Sequence, residues 1–196
     1  MKPKGADLVH GTEWISDPRR PVPLGETVGF APGARDQRFY ESHGEHVCLF
    51  TTAVLADPIE WTGMVKADLF IVSSGKDTDV VVRICDVYPD GRSMLVVEYA
   101  QRGRYRDGFE KQVLMEPGEP TRIVFDIGWT SITFNAGHQI RVVISSTGDP
   151  LYEPNMHQDG SPLTRDGPEG GGVVAQNMIL HGGQCKSKIV APVVPI

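Results

Sequence analysis

The sequence predicts an all-β fold, a β-sandwich or jelly roll, on three observations. Short apolar, β-prone runs recur at close spacing along most of the chain. Turn formers separate them, with 22 glycines and 15 prolines spread over 196 residues. No long segment places apolar residues at i, i+3, i+4 and i+7 between helix caps. A chain of this length with 40% hydrophobic residues is large enough for one domain with a true core.

Residues 1–45 read as an irregular N-terminal segment packed on the sandwich, because proline, glycine and charge recur in SDPRRPVPLGETVGFAPGARDQR. Within it, Thr12–Ser16 fits one edge strand. Residues 46–196 read as the sandwich itself. HVCLFTTAV at 46–54 is apolar and β-prone. MVKADLFIVSS at 64–74 sets Val65, Ala67, Leu69 and Ile71 against Met64, Lys66, Asp68 and Phe70, the period-2 signature of a strand. TDVVVRICDVY at 78–88 and RSMLVVEYA at 92–100 flank Pro89-Asp90-Gly91 and predict a hairpin. TRIVFDI at 121–127 follows a Glu116-Pro117-Gly118 turn and puts Ile123, Phe125 and Ile127 on one face. HQIRVVISS at 138–146 directs Ile140, Val142 and Ile144 inward. GVVAQNMILH at 172–181 and SKIVAPVV at 187–194 complete the set, and 147–171 is a long polar insertion of the kind that carries function or an interface.

Net charge is −6 and pI about 5.5, with no dominant basic patch, so nucleic acid and anionic membranes are excluded as expected partners. The cluster Arg102-Gly103-Arg104-Tyr105-Arg106 reads as strand-edge charge. No apolar run spans a bilayer, and MKPKGADLVHGTEW lacks the apolar core of a secretory signal. A cytoplasmic chain, or a piece excised from a larger one, is the expectation. Cys48, Cys85 and Cys185 match no zinc or CxxC spacing, and Cys48 and Cys85 read as small core residues.

No serine has glycine two positions away on both sides, so the Gly-x-Ser-x-Gly elbow is missing and no catalytic residue is assigned. His138 and His181 sit at strand ends and read as structural. His43-Gly44-Glu45-His46 is not HExxH, and the acidic loop with Asp159, Asp166 and Glu169 lacks EF-hand spacing, so neither metal nor any other cofactor is expected. Trp14, Trp61 and Trp129 are the candidates for a stacked ligand or an interdomain contact, with packing as the plainer role for Trp61 and Trp129.

The order of several blocks resembles the C-terminal domain of the X-Pro dipeptidyl-peptidase and cocaine-esterase (CocE/NonD) family of serine hydrolases. The blocks are SDPRRPVP at 16–23, TTAVLADPIEWTG at 51–63, DTDVVVRICDVYPDGRSMLV at 77–96, RGRYRDGF at 102–109, MEPGEPTRIVFDIGWTSITFNAGHQIRVVISS at 115–146 and SKIVAPVVP at 187–195. The resemblance implies a jelly roll of galactose-binding-domain-like architecture that packs on an α/β-hydrolase domain, in cis or in trans, and helps wall its cleft. The family's Ser, Asp and His triad lies on that other domain, and none of the three maps here. PVPLGETVGF at 21–30 resembles the stretch that passes near the cleft, which makes Val28 and Phe30 the candidate pocket wall. The chain departs from the family after Ser146, where TGDPLYEPNMHQDG replaces an aromatic-rich segment with an Asp-Arg-Asn element. The rival is a free-standing carbohydrate- or protein-binding jelly roll. An excised domain is expected to show an apolar patch and could form a homodimer through it.

Overall fold

A computed structural model describes residues 10–25, 34–159 and 172–195. The strands in chain order are β1 (Gly11–Ser16), β2 (Cys48–Thr51), β3 (Ile59–Ser73), β4 (Asp79–Val87), β5 (Ser93–Arg102), β6 (Thr121–Phe134), β7 (Gln139–Ser145), β8 (Ala175–Gly182), β9 (Cys185–Lys186), β10 (Lys188–Val190) and β11 (Val193–Val194). The one α-helix among the described residues, α1 (Arg38–Glu41), is a single turn, and no helix there is long and apolar enough to cross a membrane.

The strands form two antiparallel sheets, a β-sandwich. In the first, β3 pairs with β6 along one edge and with β8, β10 and β11 in succession along the other, and β1 closes the far side of β8. The second has the order β2-β7-β4-β5. Between them lies the main core, with Val65, Ala67, Leu69 and Ile71 of β3, Ile123, Phe125 and Ile127 of β6, and Val82, Ile84 and Ile144 from the second sheet. The period-2 faces read from the sequence are therefore the buried faces. Cys48 and Cys85 are buried free thiols, each raised to about 12 by burial, which leaves them unreactive.

The Pro89-Asp90-Gly91 hairpin closes through the Gly91 amide onto the Tyr88 carbonyl at 2.9 Å. Gly91 adopts φ +87°, the left-handed position that ends a three-residue loop. Further along the same pair, a bulge between Ile84 and Cys85 shifts the register by one residue and sets Asp79 opposite Arg102.

The N-terminal segment does more than supply β1 to a sheet edge. Val22, Leu24, Tyr40 and Val47 pack on the outer face of the second sheet over Cys85 and Val143, forming a second core. Every residue of β4 is thereby buried. The sequence placed Ile140, Val142 and Ile144 of β7 inward; Ile140 and Ile144 are buried, Val142 is only partly so, and Val143 on the opposite face is fully buried under this cover. Arg83 lies in the same layer at 0% exposure, its guanidinium 4.0 Å from the Tyr40 ring centre. Its Nε is 2.9 Å from Glu98 Oε2 but off the N–H line, so the contact is an ion pair without a directed hydrogen bond. Gly148 leaves room beneath it, since a Cβ there would lie 2.7 Å from Arg83 NH2 and 3.0 Å from the Tyr152 ring.

Candidate functional site

The site residues named from the sequence do not converge. Val28 and Phe30 lie outside the described residues. Trp14 is 1% exposed and gives its indole N–H to Ser146 Oγ at 2.9 Å, so it has no free face for a ligand ring. Trp61 is partly buried and meets Phe134 edge-on at 5.1 Å. Trp129 alone of the three stands clear, at 76% exposure, on the outer face of the first sheet opposite Met64. Val124 and Val190 are exposed on the same sheet, interleaved with the Lys66–Asp126 pair and with Arg122 and Lys188 on Asp68.

The densest cluster of polar chemistry sits at the end of the sandwich where β4 begins and β5 finishes. Asp77 is fully buried and accepts from the Arg104 amide, Arg104 Nε and Asn155 Nδ2, each at 2.7 Å. Asp79 accepts from Arg102 Nε and NH2 at 2.9 and 3.0 Å and from Asn155 Nδ2 at 2.8 Å. Burial nonetheless holds the Asp79 carboxyl above its ordinary range. The arginine cluster is thus not strand-edge charge. Arg104 is 1% exposed, and it is buried because two carboxylates two residues apart on β4 and its approach meet two guanidiniums two residues apart at the end of β5.

Within this cluster His157 and Ser16 form the described Ser–His contact, with Nε2 2.8 Å from Ser16 Oγ and Nδ1 3.1 Å from the Asp77 carbonyl. A carbonyl only accepts, so Nδ1 carries the proton and Nε2 accepts from the serine. The arrangement has the connectivity of a nucleophile and its base, yet Ser16 is 3% and His157 1% exposed. Desolvation pushes His157 down to about 4, a poor base at neutral pH. Substrate cannot reach this serine, and the contact is structural.

The other candidate groups are also engaged. His138 Nδ1 is 2.8 Å from Asp86 Oδ1 and its ring lies against Tyr88. His43 and His46 turn their Nδ1 atoms to backbone carbonyls of Phe39, Tyr40 and Ile15. Among the described residues no three His, Cys, Asp or Glu side chains converge on a common point. Asp159 pairs with Lys76, while Asp166 and Glu169 lie outside the described residues. Two apolar hollows of about 250 and 290 Å³ open between the sheets, sharing Phe50 and Val142 as their dividing wall. His181, Ser187 and Lys188 stand among the apolar residues that line the first, with His181 engaged by Thr12 Oγ1 at 3.0 Å and the Lys188 ammonium turned to Asp68.

The sequence profile of the X-Pro dipeptidyl-peptidase C-terminal non-catalytic domain matches residues 23–190. The chain is 37% identical over 194 residues to a cocaine esterase of Rhodococcus sp., covering 95% of this chain and 33% of that protein. Among solved structures it is similar to an aminopeptidase from a marine-sediment Thaumarchaeota archaeon, with TM-score 0.88, 27% identity, and coverage of 100% of this chain and 34% of the other. It is equally similar to an α-amino acid ester hydrolase, with TM-score 0.86, 27% identity, and coverage of 99% and 34%. The chain spans about a third of the length of these relatives. With a profile match over most of its length and the same sandwich in its structural neighbours, the chain belongs to the family of X-Pro dipeptidyl-peptidase C-terminal non-catalytic domains.

Proposed function

We propose that this chain acts as the non-catalytic C-terminal jelly roll, galactose-binding-like in architecture, of a serine hydrolase whose α/β-hydrolase domain is its partner in cis. The parent reaction is acyl transfer to water through a serine acyl-enzyme, on an ester or an amide. The domain stabilises the catalytic domain and shapes the cleft, with Val28 and Phe30 on the pocket wall. The observation that carries this reading is the end-to-end alignment of the chain with one third of proteins named as esterases and an aminopeptidase. The sealed Ser16–His157 contact supports it, since that serine and its imidazole are both buried away from substrate.

Trp129, with Val124 and Val190, is the face that meets a neighbouring surface in this reading, since large exposed apolar groups grouped on one sheet mark interaction sites. Incubating the chain with a fluorophosphonate probe is expected to leave its intact mass unchanged, and a stoichiometric serine adduct overturns the non-catalytic assignment. Joined to its hydrolase domain, the Trp129→Asp variant is expected to lower the melting temperature of the whole protein more than that of the isolated chain. Equal shifts remove Trp129 from the interface. The open Trp129 ring also fits the rival role of stacking on a sugar. That role requires glycan binding by the isolated chain that disappears in Trp129→Ala.

A further inference from the structure

The polar end of the sandwich gathers titratable groups that the apolar core between the sheets lacks. We propose that residues 148–159 form an acid-released strap, held shut at neutral pH by the imidazole of His157 and freed when that ring takes up a proton.

The strap is tied to three separate parts of the sandwich. Asn155 Nδ2 donates to Asp77 and Asp79 at the start of β4. Arg102 NH2 and Arg104 NH2 reach the Glu153 and Gln158 carbonyls from the end of β5 at 3.1 and 2.5 Å. His157 Nε2 accepts from Ser16 at the end of β1, while its backbone carbonyl takes the Lys76 amide at 3.1 Å. At its other end the strap reaches the cover of the second sheet, where Leu24 N donates to Asp149 O at 2.9 Å and Asp149 N to Val22 O at 3.1 Å. Its hub is His157, a non-glycine residue at φ +60°, held in that conformation by its amide bond to Asn155 Oδ1 at 2.8 Å.

Charge balance decides what a proton does here. The groups that face the ring are Asp77 and Asp79 from β4 and its approach, Arg102 and Arg104 from β5, and Asp17 beyond β1, with Lys76 one residue before Asp77. Asp77 is matched by Arg104 and Asp79 by Arg102, Asp17 is held by Arg19, and Lys76 pairs with Asp159. A proton on His157 therefore adds an unmatched charge in a desolvated place. It also leaves Ser16 without the acceptor for its hydroxyl. Since the buried ring is pushed down from 6.5 to about 4, closure is fully favoured above pH 6.5, weakens as pH falls, and levels off below about 4. Asp79, held up by burial, acts in the opposite direction: its carboxyl takes up a proton more readily when enclosed, so acid favours closure through this group and the release falls to His157 alone.

The test is amide hydrogen exchange on the intact chain at pH 7.5 and 4.5, corrected for intrinsic rates. Opening of fragments spanning 148–159 is expected to rise about 70-fold, from a pKa of 6.5 released and about 4 strapped, while fragments spanning 79–87 keep their protection. His157→Asn, which tolerates the left-handed backbone, is expected to flatten that dependence. Unchanged protection of the strap at pH 4.5, or an undiminished acid response in His157→Asn, overturns the proposal. NMR titration of the unsubstituted chain decides the same point without a variant. The His157 ring is expected to stay in the Nδ1–H neutral form down to pH 5, and a ring that titrates near 6.5 with the strap still protected overturns it.

Discussion

The outer face of the second sheet is covered, whereas that of the first is open along β6 and buried only where Val72, Met178 and Leu180 cluster on β3 and β8. On the second sheet, the outer face is roofed by Val22, Leu24, Tyr40 and Val47, so that β4 is buried on both sides and carries the near-continuous apolar run DVVVRICDV. On the first, the outer face of β6 is open, and TRIVFDIGW alternates buried and exposed along the strand. The charges follow the same division. Arg83 and Arg104 are enclosed at 0% and 1% exposure, whereas Arg122 and Lys66 pair with Asp68 and Asp126 in the open. A strand's apolar pattern thus reports how many layers cover it, and its charges report whether they have to be paired. The roof covers β4 and its neighbours with contacts from within the chain, while the open part of the first sheet leaves Trp129, Val124 and Val190 exposed.

Substitution can break this contrast, beginning with the enclosed ion pair. Arg104→Ala strands Asp77 at zero exposure and is expected to lower stability by about 3–5 kcal/mol in urea unfolding, while Arg122→Ala on the open face leaves the midpoint where it was. Equal effects would show that the two faces do not differ electrostatically. In the core between the sheets, Ile84→Ala is expected to cost about 2–5 kcal/mol through lost burial and the cavity left behind. Its counterpart Val124→Ala, nearly half exposed, is expected to have no measurable effect on the midpoint. Tyr40→Phe sharpens the role of the roof. The Tyr40 hydroxyl donates to the Thr147 carbonyl and lies 2.5 Å from Ser145 Oγ, and its loss is expected to cost about 1–3 kcal/mol, with the denaturant slope unchanged if the roof stays docked. A reduced slope would mean that the roof detaches as a unit.

Much of this was legible residue by residue. The alternation in β3 and β6 located their buried faces, and Pro89-Asp90-Gly91 located a hairpin, because a strand's period and a turn's φ requirement are local properties. The turn located the hairpin but not its register. It could not specify the pairing, since an unbulged register would set Asp79 opposite Gln101, and the bulge between Ile84 and Cys85 moves it to Arg102. The cluster at Arg102–Arg106 read as surface charge for the same reason. Nothing near Arg104 in the sequence shows that Asp77, 27 residues earlier, and the Gln158 carbonyl, 54 residues later, will enclose it. His157 was one of six histidines with no motif around it, and its significance comes from Ser16 at a separation of 141 residues.

By itself the sequence determined the class of fold, the position of nearly every long strand, the lack of a serine elbow and the family. Each of these follows from short-range patterning or from the order of motifs. The tertiary structure decided which of those strands would be covered twice, that two arginines would be buried rather than solvated, and that Trp14 would close the core while Trp129 stayed open. Burial of a polar or aromatic group depends on whether distant segments deliver its partners and its roof. That is a property of how the layers assemble, which no local stretch of the chain contains.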